Sequence, residues 1–204
     1  MLRNGLDYSL YQFSEENRNA LRKELGIENS FVVGHVGRFS QQKNHEFLVD
    51  IFKCISDKNP NAVLLLAGIG ELENAIHKKV NHLGLKNKVI FLGRRDDVPR
   101  LLSAFDVLLF PSFHEGMPNV VIEAQASGLP CIIADTITSQ ADITGLVHYL
   151  PLSLSADTWA DEVLLKSDFP RENTKEKFYN AGYDQDSVVK EFIRLVFENK
   201  STKT

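Results

Sequence analysis

The stretch FVVGHVGRFSQQKNHEFLVDIF (31–52) changes its period halfway along. Residues 31–37 form a nearly continuous apolar run, interrupted by His35. A strand reads this way when both of its faces are covered, because neither side then accepts a charge. His35, inside that run, reads as a satisfied core histidine. Beyond Gly37 the chain turns polar. Phe47, Leu48, Ile51, Phe52 and Ile55 then recur on one face of a helix expected over 43–57. Strand, polar loop and one-sided helix, in that order, make the opening of a βαβ unit.

The same alternation continues outward. Short apolar runs stand at AVLLLAG (62–68), KVIFLG (88–93), DVLLFPS (106–112) and PCIIAD (130–135). Between them lie helical patterns at 71–83, with Leu72, Ile76, Val80 and Leu83, and at 97–104, where Asp96 or Asp97 is the expected cap. A further helix is expected from near Pro118 to Gly128, with proline in its first turn and glycine at its end. The pattern predicts an α/β fold, a Rossmann-like doubly wound parallel sheet. From about residue 155 the chain reads as a helical tail. Ser155–Lys166 carries Trp159, Val163 and Leu164, and Ser187–Glu198 carries Val188, Val189, Phe192, Ile193, Val196 and Phe197. Asn199–Thr204 reads as a frayed polar terminus.

Composition narrows the function classes. The 204 residues are 43% hydrophobic and 25% charged, ordinary for a globular domain. A net charge of -4 removes the electrostatic case for nucleic acid as a partner. Two cysteines in unrelated contexts, Cys54 and Cys131, read as free thiols in a reducing compartment. No apolar run approaches the ~20 residues of a membrane helix. MLRNGLDYSLYQF has no signal-peptide core, so a cytoplasmic location is the expectation.

In an open α/β sheet a ligand lies beyond the carboxyl ends of the strands. The loop after the first run holds Arg38 and Lys43, a guanidinium fork and an ammonium point charge that together suit a diphosphate. The plainer alternative is two solvated cations flanking a helix. The loop after DVLLFPS holds Glu115 and Gly116 and opens a helix whose N–H groups at Met117, Asn119 and Val120 could receive an anion. Pro118 has no N–H to offer, and Gly116 permits close approach. Glu123 lies five residues past Pro118, ~7.5 Å along the helix axis, a distance that suits a ribose diol. Glu115 should face neutral sugar hydroxyls. A helix-end charge for Glu115 and a solvated position for Glu123 remain the alternatives. Glu71, Asp96 and Asp97 read as turn and cap residues. Neither they nor the histidines show the spacing of a metal site.

These pieces together resemble glycosyltransferase family 4, the group 1 glycosyltransferases. The match runs from Asn4 to about Leu165. Its markers are Asn4-Gly5-Leu6-Asp7, Gly37-Arg38-Phe39 with Lys43-Asn44, Gly68-Ile69-Gly70-Glu71, Val89-Ile90-Phe91-Leu92-Gly93, Pro111-Ser112, and Glu115 with Glu123 as E-x7-E. HVGRFSQQKNH and EGMPNVVIEAQASGLPCI are similar to capsular and exopolysaccharide enzymes. The resemblance implies one half of a GT-B fold, no cofactor and no obligatory metal. It implies retaining transfer from a nucleoside-diphosphate sugar, expected to be a UDP-sugar, to a saccharide or lipid-linked acceptor. In the implied roles Arg38 and Lys43 bind the diphosphate, Glu115 is the catalytic contact to the donor sugar, Glu123 holds the ribose and Arg94 lies by the base. Pro118 replaces a glycine common in the family, which alters the phosphate-loop donors. The Asn-Gly segment normally follows an interdomain linker. Residues 1–204 are therefore expected to form the donor-binding domain without the N-terminal acceptor domain, and the full-length enzyme to touch the membrane peripherally. Two other readings fit the same residues: a UDP-sugar epimerase, and a non-catalytic module that binds a sugar nucleotide.

Overall fold

The structure, a computed structural model, describes residues 5–166 and 171–197, with the backbone alone for Val196 and Phe197. Asn4, Glu198 and the expected frayed end Asn199–Thr204 lie outside the described residues. In chain order the elements are α1 (Tyr8–Tyr11), α2 (Glu15–Leu25), β1 (Phe31–Val36), α3 (His45–Lys58), β2 (Ala62–Ala67), α4 (Glu73–His82), β3 (Val89–Gly93), α5 (Val98–Ala104), β4 (Val107–Phe110), α6 (Asn119–Ala126), β5 (Cys131–Ala134), β6 (Val147–Leu150), α7 (Ala156–Lys166), α8 (Lys175–Asn180) and α9 (Gln185–Phe197). The strands form one sheet in the order β3-β2-β1-β4-β5-β6, and every pairing is parallel. The order reverses between β1 and β4, where an α/β sheet opens a crevice for a ligand.

Successive residues of each central strand face opposite sides of the sheet, and nearly all are buried, so both faces are dry. Val33, Leu64, Leu66, Val107, Leu109 and Ile132 pack toward α3, α4 and α7. Val32, Leu65, Leu108, Phe110, Cys131 and Ile133 pack toward α2, α5 and α6. Gly34 marks a close approach within this core. A Cβ there would lie 2.0 Å from the Phe105 ring, which closes the end of α5 against the sheet.

The expected elements are present, with local corrections. Gln41–Lys43 is a 3-10 turn, and α3 starts only at His45. Asp97 stands at the start of α5 but caps nothing with its side chain. Its carboxylate instead takes two bonds from Arg95, at 2.7 and 2.6 Å. Pro118 is the N-cap of α6, one position before the first turn. β6 was not anticipated: it is a four-residue edge strand, half-buried beyond Val147, and His148 breaks its apolar run. Nor was α2, whose mostly polar sequence is tied down by charge. Arg18 and Arg22 reach Asp106 at 2.6 and 2.7 Å, and Asp106 also accepts from the Val32 amide. α1 is a short helix that the sequence pattern did not mark, whereas α8 falls within the expected helical tail. On α9, Val189, Phe192, Ile193 and Leu195 are exposed, so its apolar stripe is largely uncovered among the described residues. No described helix is long and apolar enough to cross a membrane.

The reading of His35 as a satisfied core residue holds only in part. Its Nδ1 meets the Leu109 carbonyl at 2.9 Å, while Nε2 has no partner. The His35 ring meets His45 edge-on at 4.7 Å, and Phe39 stacks on His45 at 4.3 Å. Burial, with the Lys43 charge nearby, pushes the His45 pKa down to about 4. Burial, and then the neighbouring ring of His45, holds His35 well below the usual imidazole range.

Two outcomes follow for stability. Gly34→Ala forces a methyl into the Phe105 ring and should cost about 1–3 kcal/mol in urea unfolding, the range for overpacking. Phe105→Leu in the same chain should recover part of that loss. The histidines act through pH. Their folded pKa values lie below an unfolded value of about 6.5, so below that pH the unfolded chain binds more protons than the folded one. Stability should therefore fall as pH drops from 7.5 to 5, by about 2 kcal/mol for His45, given its pKa of about 4. His45→Gln should flatten the slope; an unchanged slope would show that His45 titrates normally.

Candidate active site

Four loops leave the carboxyl ends of β1 to β4 and are joined to one another by backbone bonds. The Gly37 amide donates to the Ala67 carbonyl and the Gly68 amide to the Gly93 carbonyl, at 2.9 and 2.8 Å. Gly68 has φ +144, and a Cβ there would sit 2.0 Å from the Gly37 carbonyl oxygen, so only glycine lets these loops touch. On the other side, Gln42 accepts from the Phe113 amide and donates through Nε2 to the His114 carbonyl at 2.8 Å. Asn44 adopts φ 53, and its side chain donates to the Pro111 carbonyl. An asparagine tolerates that left-handed turn better than most residues. The chain thus leaves β1, crosses the sheet reversal and enters α3 with Lys43 aimed at the β4 loop.

There the Lys43 ammonium meets Glu115 at 2.6 Å, with 17% and 10% of the side chains exposed, and lies 4.6 Å above the Phe110 ring. The expectation that Glu115 faces neutral sugar hydroxyls did not include this contact: its partner here is Lys43, the diphosphate-binding candidate itself. Arg38 also has a carboxylate partner, Glu71 at 3.1 Å, but this pair is largely in solvent, with 73% and 54% of the side chains exposed. The Glu71 backbone amide, with Arg38 beside it, holds the Glu71 carboxyl below its usual range. Glu71 lies in a turn, as expected, and pairs there with Arg38. Arg38, Arg94 and Arg95 line one cleft of about 450 Å³ with Gly37, Gly68 and Ile69. Arg94 is mostly exposed and lies 3.6 Å from Asp96.

The β4 loop continues through exposed Gly116, half-buried Met117 and buried Pro118. α6 then begins at exposed Asn119 and half-buried Val120, with no side-chain cap. Glu123, one turn in, is not a solvated helix charge. It is half-buried, and its Oε1 accepts from the Tyr11 hydroxyl at 3.3 Å. Desolvation lifts its carboxyl above the usual range, while the Tyr11 bond acts the other way. Tyr11 is the neighbour that the sequence did not reveal: 112 residues separate the two, and no local pattern spans that gap. Among the described residues no three His, Cys, Asp or Glu side chains gather as metal ligands.

The profile of the family "Glycosyl transferases group 1" matches residues 17–148. The chain is 36% identical over 189 residues to EpsF of Bacillus subtilis (strain 168), which is named as a glycosyltransferase; the match covers 90% of this chain and 49% of EpsF. It is 38% identical over 138 residues to an Escherichia coli UDP-Gal:alpha-D-GlcNAc-diphosphoundecaprenol alpha-1,3-galactosyltransferase, covering 65% of this chain and 35% of that enzyme. The crystal structure of Anabaena HepE in complex with UDP and glucose aligns with a TM-score of 0.79 and 25% identity, over 98% of this chain and 55% of HepE. The chain spans at most about half the length of these relatives. The family match runs from α2 into β6 and takes in both the β1 loop and the β4 loop, so the chain belongs to the group 1 glycosyl transferases, which have the GT-B type of fold.

Proposed function

We propose that this chain is the donor-binding domain of a retaining glycosyltransferase that moves a sugar from a UDP-sugar to a saccharide or lipid-linked acceptor in cell-surface polysaccharide synthesis. The observation that carries the reading is the Lys43–Glu115 pair at the sheet reversal, with the Arg38 cleft beside it. A half-buried cation and a half-buried carboxylate in contact are two halves of a donor site: one for the diphosphate, one for the sugar. The uridine base is supported by HepE, whose structure holds UDP and glucose, and by the UDP-Gal named for the Escherichia coli relative. We assign Arg94, at the rim of the same cleft, to the base, and Glu123 to the ribose.

Transfer breaks the bond between the anomeric carbon and the diphosphate oxygen, whose electron pair leaves with the nucleotide; the acceptor oxygen bonds to the anomeric carbon, and its proton passes to the departing diphosphate. Lys43 and Arg38 neutralise that charge, together with the positive end of α6 at Met117–Val120. As the diphosphate draws Lys43 away, Glu115 is released to accept from a sugar hydroxyl. The acceptor has to be held against the donor's anomeric carbon, and such positioning supplies roughly 7–11 kcal/mol of a barrier. We assign that task to a second domain facing this cleft, so donor binding is the activity to measure on these 204 residues.

Calorimetry with UDP and uridine tests the site. Lys43→Ala should weaken UDP by about 1.5–3 kcal/mol, as for a lost charge-assisted bond, and leave uridine unchanged. Arg38→Ala should act in the same direction but less, because solvent screens an exposed cation. Equal losses for UDP and uridine would remove both residues from the diphosphate. UDP should also bind more tightly than GDP or ADP; the reverse order would refute the choice of base.

A further inference from the structure

Tyr11 sits where it does because the segments 6–8 and 174–184 close together on α6. The Leu6 amide donates to the Tyr183 carbonyl at 2.8 Å, and Leu6 pairs with Asp184. Tyr8, next along, is buried with Ile122, Ala126, Phe178 and Tyr183. Its hydroxyl lies 3.4 Å from Thr174 Oγ1, which donates to the Gln125 carbonyl at 2.8 Å. α1 is thus clamped between α6 and the tail, and its last residue presents a phenol to Glu123. Tyr11 packs against the buried cluster of Tyr8, Ile122, Ala126, Phe178 and Tyr183, so the hydroxyl has an anchored base.

We propose that Tyr11 is a positioning residue for the ribose: its hydroxyl fixes the Glu123 carboxylate in the orientation that receives the two ribose hydroxyls. The proposal rests on the assignment of Glu123 to the ribose. A carboxylate has about four acceptor directions, so one phenol on Oε1 leaves capacity for a diol. A half-buried glutamate without that bond would lose both a fixed rotamer and a contact that favours its ionised form. Burial, and then the Glu123 charge, keeps the Tyr11 phenol protonated and able to donate.

The test uses Tyr11→Phe, which keeps the packed ring, alongside Glu123→Gln and the double variant. UDP, GDP and ADP are each titrated beside their 2′,3′-dideoxy counterparts, since the ribose is common to all three. Tyr11→Phe should weaken the ribose nucleotides roughly three- to tenfold, the range for one hydrogen bond, and leave the dideoxy compounds and the melting temperature unchanged. Glu123→Gln should cost more, and Tyr11→Phe should add nothing to it, because the two residues act through one carboxylate. If Glu123→Gln leaves the preference for ribose over dideoxyribose intact, the ribose assignment fails and this inference fails with it. If Glu123→Gln abolishes that preference while Tyr11→Phe has no effect, weakens both ligand types equally or tightens binding, only the role of Tyr11 is overturned.

Discussion

A strand covered on both faces can place charge only at its ends. In this sheet all the strands run parallel, so their carboxyl ends share one edge. Arg38, Glu71, Arg94 and Glu115 all follow strand ends there, and Lys43 reaches the same edge from the turn before α3. Burial of the apolar runs thus does more than stabilise the domain: it concentrates the polar chemistry at one edge. Reversal of strand order between β1 and β4 then spreads two adjacent loops, and the Gly68 contact with Gly37 draws the next loop in beside them. Site and core share one cause.

The ion pairs at that edge differ in consequence. Arg38–Glu71 lies in solvent, where screening leaves little net energy. Lys43–Glu115 lies between loops, with an aromatic ring beneath the ammonium. Removing either member strands the other in a poorly hydrated place. The pair also depends on what lies under it. His35 and His45 stay neutral because they are buried and because Lys43 is near. A charged imidazole there would repel the ammonium and the pair would loosen. The neutral histidines therefore belong to the electrostatics of the site, although no hydrogen bond joins them to it.

Legibility followed sequence distance. Arg38 with Lys43, and Glu115 with Glu123, could be grouped because each pair lies in or beside one loop, and strand ends converge by rule in a parallel sheet. Lys43 on Glu115, Arg38 on Glu71 and Tyr11 on Glu123 join different loops, and their pairing depends on rotamers that periodicity does not encode. The misread cap at Asp97 has a similar cause. An aspartate before a helix usually caps it, but Arg95 two residues earlier offers a guanidinium fork that competes successfully. α2 and β6 escaped because neither carries a full apolar pattern; one is held by ion pairs and the other by its neighbour's ladder.

The tail beyond β6 is part of this machinery. α7 lays Trp159 against Phe47, closing the face that carries α3 and hence the Lys43 loop. Arg171 enters the interior on the other face and donates to the carbonyls of Leu102, Phe105 and Ser127, at 2.7, 2.6 and 2.8 Å. Those carbonyls lie at the carboxyl ends of α5 and α6, where helices leave acceptors unpaired and favour a cation. Burial pushes the Arg171 pKa down to about 9, still high enough to keep the charge at neutral pH. Thr174 adds a bond to the Gln125 carbonyl. α6 is thus anchored at its carboxyl end by the tail, alongside by α1, and at its start by the β4 loop. A helix held in three places keeps Glu123 at a fixed height above the sheet, as a carboxylate that must meet a diol requires.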